Sequence, residues 1–430
     1  MQRTRKARRW AAVTAGAAAL ATMASGPAAA ARPTDTDAYG PTYASAHGTT
    51  YTDPHGTRYA RSYGSRDARA HGSRDARAYG TGEVPSYVAV PASGGEPVVS
   101  AASLATAHAG WRLKDSGSTA RFRGLAAVSR TTAWVAGTAG TVLRTHDGGK
   151  HWRDISPPGA GELEFRDIEA LDARRAVVLA IGEGEASRVF RTDDAGATWT
   201  ESFRNTDPRA FYDCLTFFDR RHGIALSDPV DGKYRILSTA DGGRSWRVLP
   251  SDGMPPAQQG EAAFAASGQC LVSAGSRDAW IATGGAATAR VLHTADRGRT
   301  WSVTNTPVPA GDPARGVFAL AFRDRTHALA VGGDFRPDQP SPHAAAVSDD
   351  AGATWTPAAE PPKAYRSGAA WLPHSRRVAV AVGPSGSDLT LDAGRTWHPF
   401  DSGSYDTVDC APDLGCWAAG ERGRIARLEP

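Results

Sequence analysis

The chain has 430 residues, a formal net charge of +4 at pH 7 and a hydrophobic fraction of 41%. Part of the positive charge lies in a basic N-terminal start, so nothing in the rest indicates a nucleic-acid-binding surface. After that start no segment is long and apolar enough to cross a membrane, so no integral span is expected once the start is removed.

Residues 1–31 have the features of an export signal. A basic beginning that includes Arg3 and Arg5 precedes an alanine-rich apolar stretch at residues 10–26, and residues 28–31 form a small-residue cleavage region. A single-span anchor is the competing interpretation. Arg8 and Arg9 are also compatible with twin-arginine export, so the sequence does not decide between that route and the general secretory route. We expect a protein that is secreted or associated with the cell envelope.

Residues 32–100 have a low-complexity composition. The sequence Gly-Ser-Arg-Asp-Ala-Arg-Ala at residues 64–70 recurs at residues 72–78, among many Gly, Ser, Thr, Tyr and His residues. Such a composition cannot bury enough apolar surface to fold, so we predict a disordered spacer. The alternative is an adhesive arm for wall polymers.

Six copies of one turn motif follow, with the pattern [S/T]-x-D-x-G-x-[S/T/H]-W. Their aspartates are Asp147, Asp194, Asp241, Asp296, Asp350 and Asp392, spaced 42 to 55 residues apart. This period is typical of a propeller blade of four strands. In the first repeat, strands are predicted at residues 122–128, 133–137, 141–144 and 152–155.

The two ends of the repeat region complement each other. The chain ends after the third strand of the last repeat, at residues 425–428, whereas residues 111–117 resemble an isolated fourth strand. We therefore predict an all-β fold over residues 101–430: a seven-bladed β-propeller whose last blade is completed by the N-terminal strand. Such a ring leaves no unpaired edge and needs no second copy, so we expect a monomer.

The aspartate motif resembles the BNR or Asp-box repeat. Residues 211–219 and 222–236 are similar to bacterial members of the photosystem II stability/assembly factor-like propellers, which have WD40/YVTN/BNR-like repeats. Residues 332–336, 382–388 and 420–424 agree, and the resemblance covers residues 110–430. It implies a propeller fold, an assembly or binding role, and structural rather than catalytic aspartates at the blade periphery.

Four cysteines in an exported chain favour disulfides. Cys410 and Cys416 bracket a Pro-Asp turn and are predicted to pair. Cys214 and Cys270 lie in consecutive repeats, and either a bridge or two buried thiols fits. No Cys-x-x-Cys or paired-histidine spacing occurs, so neither a metal site nor a cofactor is predicted.

Candidate ligand-binding residues come from an alignment of the first strands. A charge recurs at the second position in six blades, at Arg123, Arg166, Asp213, Glu261, Arg366 and Asp406. The fifth blade has Val317 there, with Arg315 close by. Either these groups pair with one another around a solvated channel, or the three arginines bind a polar or anionic ligand.

Two further segments border the expected channel. Asp228 and Asp231 could hold a cation or a sugar hydroxyl, although Asp-Pro and Asp-Gly are also ordinary turn sequences. Asp334 and Arg336 are expected to form an ion pair, and residues 337–343 form an insert that could cover the mouth.

These features favour a binding or assembly platform for an envelope or extracellular protein, peptide or glycan. The alternative is a secreted sialidase-like or other Asp-box glycoside hydrolase, for which Glu261 and Asp213 are the candidate catalytic carboxylates. No motif supports an oxidoreductase. A serine triad is not predicted either, because His222, His327 and His374 are expected in turns without acidic partners.

Overall fold

The computed structural model describes residues 49–52, 58–61, 110–336 and 339–429. In these ranges the chain forms thirty strands and one short 3₁₀ turn at Gly184–Ala186, without an α-helix. None of the described segments is a helix that could span a membrane. The predicted export signal lies outside the described residues.

Two of the strands lie inside the predicted spacer. Strands β1 (Thr49–Thr52) and β2 (Arg58–Arg61) pair antiparallel as a hairpin, with Tyr51 opposite Tyr59. The remainder of the spacer prediction falls outside the described residues.

The other strands form seven sheets of four antiparallel strands each. Strand β3 is Gly110–Lys114; blade 1 is β4 (Phe122–Ala127), β5 (Ala133–Gly137), β6 (Val142–Thr145) and β7 (Arg153–Asp154); blade 2 is β8 (Glu164–Ala170), β9 (Ala176–Ile181), β10 (Arg188–Thr192) and β11 (Thr200–Arg204). Blade 3 is β12 (Tyr212–Phe217), β13 (Gly223–Val230), β14 (Lys233–Thr239) and β15 (Arg247–Val248); blade 4 is β16 (Leu271–Ala274), β17 (Asp278–Ala282), β18 (Arg290–Thr294) and β19 (Ser302–Asn305). Blade 5 is β20 (Arg315–Phe322), β21 (Ala328–Asp334), β22 (Ala345–Ser348) and β23 (Thr356–Pro357); blade 6 is β24 (Gly368–Trp371), β25 (Ala379–Gly383), β26 (Gly386–Thr390) and β27 (His398–Asp401); blade 7 is β28 (Thr407–Cys410), β29 (Cys416–Ala419) and β30 (Ile425–Glu429), completed by β3.

The ring closes through the two ends of the repeat region. Strand β3 pairs antiparallel with β30, so that Trp111 lies opposite Leu428. The first strand of each blade contacts the first strand of the next, and this inner ring closes from β28 back to β4. The prediction of a seven-bladed propeller completed by its N-terminal strand is confirmed.

The core lies between the blades, where side chains from adjacent sheets interlock. Strands β5, β9, β17 and β25 are buried along their whole length, as expected for strands with neighbours on both faces. Three fully buried tryptophans each face a cationic or imidazole partner on the third strand, in the cross-strand pairs Trp134–Arg144, Trp280–His293 and Trp417–Arg427. The Arg144 guanidinium carbon lies 5.2 Å from the Trp134 ring centre, within cation–π range.

The six motif aspartates all lie in turns between a third and a fourth strand. In blade 1, Asp147 Oδ1 accepts from the Thr145 hydroxyl (2.9 Å) and from the His151 N–H (3.1 Å), while the Gly149 N–H donates to Thr145 Oγ1 (3.0 Å). These donors lower the pKa of Asp147. The same bonds recur in blades 2 to 6, so the geometry supports the structural interpretation of these residues.

Both cysteine pairs form disulfides. Cys410 and Cys416 pair directly across β28 and β29, with Cα atoms 4.0 Å apart, as predicted. Cys214 and Cys270 are also joined, with Cα atoms 6.1 Å apart, which settles the alternative that the sequence left open. No described cysteine is free.

Two of the three turn histidines differ from expectation in one respect, whereas His374 hydrogen-bonds only to the Pro412 carbonyl (2.8 Å) within the described part of the chain. His222 and His327 do lie in turns between first and second strands, but each Nδ1 is 2.8 Å from an aspartate three residues earlier, Asp219 and Asp324 respectively. In both turns the same aspartate also accepts backbone N–H bonds, so these pairs close the turn.

Candidate functional site

The channel mouth, which we define as the end of the inner ring where the first strands begin, collects most of the predicted site residues. In blades 1, 2, 3 and 5 the first strand carries a β-bulge at its start, and the extra residues are Arg123, Arg166, Asp213 and Phe318. A bulge re-aims one side chain without ending the strand. All four side chains are buried.

Blades 6 and 7 have the equivalent residues just before their first strands. The Ser367 N–H donates to Val382 O (2.8 Å) and the Asp406 N–H donates to Ala419 O (2.8 Å), which places Ser367 and Asp406 at the bulge position. Arg366 therefore lies one residue earlier than the sequence alignment put it. In blade 5 the position belongs to Phe318 rather than Val317.

Blade 4 departs most from the predicted alignment. Leu271 pairs with Ile281 and the Ala282 N–H donates to Cys270 O, so Gln269 takes the bulge position. Glu261 lies eight residues earlier, next to the single bridge between Ala262 and Gly284. An insertion thus separates Glu261 from the strand that it was predicted to begin.

The insertion crosses the central channel, and we call residues 264–269 the channel plug. Gln269 Nε2 donates to Ala369 O and Val408 O (both 2.9 Å), and the Ala369 N–H donates back to Gln269 Oε1 (2.8 Å). On the opposite side, Arg166 Nη1 donates to Ala265 O (2.9 Å). The plug therefore bonds blades 2, 6 and 7 from a segment of blade 4.

Carboxylates hold the arginines of blades 1 and 2 at the mouth. Arg121 donates to Asp406 from Nε (2.7 Å) and Nη2 (2.6 Å), and Arg166 donates from Nε to Glu164 (2.6 Å). Burial opposes the charged form of Arg121, but Asp406 outweighs it and raises the pKa of that guanidinium. The expectation that these charges pair with one another fits this geometry.

Arg123 is held differently. Its nitrogens lie 3.8 Å from Glu164 Oε1 and 3.9 Å from Asp406 Oδ1, beyond hydrogen-bond distance. Among the described residues it makes no hydrogen bond, and its Nε is buried. In the described part of the chain, the Arg123 guanidinium therefore has only these two longer contacts with carboxylates.

The remaining predicted charges lie around blades 3 to 6. Glu261 is completely buried and accepts from Arg290 Nε (2.8 Å) and the Thr283 hydroxyl (2.7 Å). Asp228 is buried, and its Oδ1 accepts the Ala263 N–H (3.0 Å), which fixes the approach to the plug.

Asp231 behaves as a turn residue. It is exposed, has a positive φ of 53°, and its carboxylate accepts from Arg209 Nη1 (2.7 Å). The alternative of ordinary turn chemistry fits Asp231, whereas Asp228 bonds the backbone of the inserted segment.

Blades 5 and 6 each have a buried aspartate that forms ion pairs beside the mouth, with partly exposed arginines in blade 5 and a buried arginine in blade 6. Asp334 accepts from Arg336 Nε (2.9 Å) and Arg315 Nε (2.8 Å), as expected for the first of these pairs. Arg366 donates from Nε to Asp388 (2.6 Å) and from Nη1 to Tyr365 O (2.9 Å). The guanidinium of Arg366 is thus hydrogen-bonded within the chain.

An aromatic cluster adjoins these charges, and the sequence alignment did not find it. We define the mouth aromatic cluster as Phe264, Phe318, Phe335 and Tyr365. Phe264, on the plug, stacks on Phe318 with ring centres 3.9 Å apart, and Tyr365 and Phe335 meet Phe318 edge-on at 4.7 and 5.9 Å. Phe318 is buried and the other three are half-buried. The sequence contained one indication of this cluster, because blade 5 has Phe318 at the bulge position where blades 1 to 3 have a charged residue.

Carboxylates on the inner strands link neighbouring blades, and one of them, the buried Asp167, lies against Gly268 of the plug. Asp167 Oδ2 accepts the Leu215 N–H (2.6 Å) and Asp409 Oδ2 accepts the Ala127 N–H (2.8 Å), so each ties its blade to the next. Burial raises the pKa of Asp167, Asp409 and Glu169, and the two aspartates add to the effect on Glu169. No group of three or more potential metal ligands occurs in the described part of the chain.

No family model matches the sequence, and no curated protein matches it. Solved structures match by fold. "YCF48 bound to D1 peptide" is 14% identical with a TM-score of 0.54 and covers 74% of this chain and 97% of its own. YCF48 from Cyanidioschyzon merolae is 15% identical with a TM-score of 0.53, covering 74% and 99%.

A more distant match is a GH74 xyloglucanase from Xanthomonas campestris, which is 13% identical with a TM-score of 0.50. It covers 74% of this chain, which corresponds to only 53% of the xyloglucanase. At these identities the likeness concerns the fold, and the chain is a seven-bladed β-propeller similar in structure to YCF48.

Proposed function

We propose that the propeller is a binding platform that recognises a segment of polypeptide at the channel mouth. The observation that carries this proposal is the position of the plug. It bridges the channel and places an aromatic surface, Phe264 on Phe318, next to the Ala265 carbonyl that Arg166 holds. Half-buried aromatic rings beside arginines are typical of the centres of protein-binding surfaces.

The chemistry of the mouth suits a peptide. Phe335 and Tyr365 flank buried Phe318 and offer apolar area that an apolar or aromatic side chain can cover. Arg123 has guanidinium donors without hydrogen-bond partners in the described chain, suited to a backbone carbonyl or a carboxylate. A similar propeller, YCF48, has been solved bound to D1 peptide, which agrees with such a use of the fold.

Hydrolysis is less well supported. A glycosidase needs two carboxyl groups that the sugar can reach. Glu261 is 0% exposed and bonded to Arg290, and Asp213 is 1% exposed, so neither candidate is open to a substrate. We therefore favour binding over the glycoside hydrolase alternative.

The partner is proposed to be a protein or peptide of the envelope or extracellular space. Two disulfides are typical of an oxidising compartment. Export itself rests on the N-terminal sequence features, and sequencing the N-terminus of the protein recovered from culture medium tests it. An intact Met1 on all of the recovered protein would contradict cleavage.

A peptide-display selection against the immobilised full-length chain tests the proposed function. Selected peptides should lose at least about tenfold in affinity with Tyr365→Ala and with Arg123→Gln, a loss of about 1.4 kcal/mol. Leu113→Ala is the control, because Leu113 is 62% exposed on the outer strand β3. Peptides that bind all variants equally, or a selection without enrichment, would refute a peptide site at the mouth.

A further inference from the structure

A second concave site lies away from the mouth, between blades 3 and 4. It is a pocket of about 120 Å³, large enough for several water molecules. Its lining includes the apolar side chains Phe218 and Leu249 and the turn residues 238–240. Basic side chains complete it: His222, Arg247, Arg297 and Arg299.

The pocket has more arginine side chains than carboxylates to pair with them. Arg297 has one acidic neighbour, with its Nη2 3.5 Å from Asp219 Oδ2. Arg299 Nη1 donates to the backbone carbonyl of Asp296 (3.0 Å), and no ion pair of Arg299 occurs within the described ranges. Arg247 is exposed and has neither a hydrogen bond nor an ion pair there. Of these three arginines, only Arg297 has an ion pair with a described carboxylate, and that carboxylate, Asp219, also contacts His222.

Two neighbouring blades contribute the arginines of this pocket. Arg247 is cross-strand from Ser238 on the fourth strand of blade 3, and Arg297 and Arg299 belong to the aspartate turn of blade 4. At the corresponding junction of blades 1 and 2, Arg153 occupies the position of Arg247, but the turn of blade 2 has Ala195 and Ala197. That junction therefore keeps Arg153 and its cross-strand neighbour Arg144 but lacks the two arginines of the aspartate turn.

From this geometry we infer that the blade 3–4 pocket binds an oxyanion, either a free tetrahedral anion or a carboxylate on a small apolar body. Guanidinium groups donate paired hydrogen bonds to carboxylate and to sulfate-like groups. Phe218 and Leu249 offer contact to a short apolar portion. The site is separate from the proposed peptide site and does not depend on it.

Isothermal titration of the full-length protein with three probes tests this inference. Sodium sulfate represents the free anion, N-acetylalanine the carboxylate, and N-acetylalaninamide the same apolar body without charge. Ionic strength is matched with sodium chloride, because exposed charge pairs are screened by salt. We expect binding of sulfate or N-acetylalanine and none of the amide. Sulfate alone would identify a free anion, and N-acetylalanine alone a carboxylate ligand.

Two variants locate the site. Arg247→Gln and Arg299→Gln should each weaken binding about tenfold or more, whereas Arg153→Gln should leave it unchanged. Arg247 is exposed on a two-residue strand, so its substitution should not disturb folding, and equal thermal unfolding of the two position-matched variants checks this. The inference fails if neither anion binds the wild type, or if Arg247→Gln and Arg153→Gln bind equally well.

Discussion

Cys214 and Cys270 occupy the same position on the first strands of neighbouring blades, and their disulfide joins blade 3 to the end of the channel plug. Cys214 follows the bulge residue Asp213, and Cys270 follows Gln269, the last residue of the plug. Gln269 in turn bonds blades 6 and 7. The bridge therefore fixes one end of the segment that spans the channel.

Removing this bridge should cost more stability than removing the other. The Cys214–Cys270 link closes a loop with a sequence separation of 56, against 6 for Cys410–Cys416. Loop-closure entropy then predicts losses of about 4 and about 2 kcal/mol for the two double Cys→Ser variants. Urea unfolding under oxidising conditions measures both. Equal losses would show that the bridge does not act through chain entropy.

Gly268 should tolerate no side chain. Its φ is +80°, and a Cβ there would lie 2.5 Å from Asp167 Oδ1, so Gly268→Ala combines backbone strain with a steric clash inside the channel. We expect a loss of about 3 kcal/mol or more. Gly311→Ala is the matched control, because Gly311 has φ +85° and nothing within 4 Å of the added Cβ.

The control should cost only the backbone term, about 1 kcal/mol. Chemical unfolding of both variants measures the difference, which isolates the contact between plug and blade 2. If the two alanine variants are equally stable, the plug is not held against Asp167 as the structure has it.

The ion pair of Arg366 with Asp388 should be structural. Both side chains are buried, and Arg366→Ala leaves the Asp388 carboxylate without its guanidinium partner. Breaking one side of a buried pair is expected to cost about 3 kcal/mol. Arg209→Ala, which removes the pairs that this exposed side chain forms with Asp231 and Asp207, should change the free energy of unfolding little. Unchanged stability of Arg366→Ala would return this residue to the ligand-binding candidates.

The repeat spacing and the half-blades at its ends were enough to predict the ring, because each blade must pair all of its strands. The mouth was harder to predict for a local reason. A bulge adds one residue to a strand but does not disturb the alternation of buried and exposed residues before it, so the sequence does not reveal its position. The sequence alignment therefore assigned Val317 and Arg366 to positions that belong to Phe318 and Ser367.

The plug was missed for a related reason. Glu261-Ala-Ala-Phe resembles the start of a first strand, and only the pairing of Leu271 with Ile281 reveals that the strand begins later. The aromatic cluster depends on that insertion, since Phe264 reaches Phe318 only from the plug. An insertion in one blade does not recur in the other repeats, so contacts that depend on it cannot be found by aligning the repeats.

Stability should fall as the pH rises above the ordinary range of carboxyl titration. Burial raises the pKa of Asp167 above its value in the unfolded chain, and the same holds for Glu169 and Asp409. The folded state therefore holds these protons more tightly, and their contribution is complete below about pH 4. It is lost as the pH rises through the raised folded-state values. The motif aspartates act in the opposite direction. Hydrogen bonds lower the pKa of Asp194 to about 2, and they lower that of Asp241 to about 2 against the effect of burial. The stability that these aspartates contribute is therefore lost only in stronger acid.

Asp167→Asn removes one of the groups with a raised pKa while keeping an oxygen that can accept the Leu215 N–H. We expect the free energy of unfolding of this variant, measured in urea from pH 4 to pH 8, to fall less steeply than that of the wild type. Parallel curves would mean that Asp167 titrates alike in the folded and unfolded chain, and that the charged carboxylate is as well accommodated beside the plug as in water.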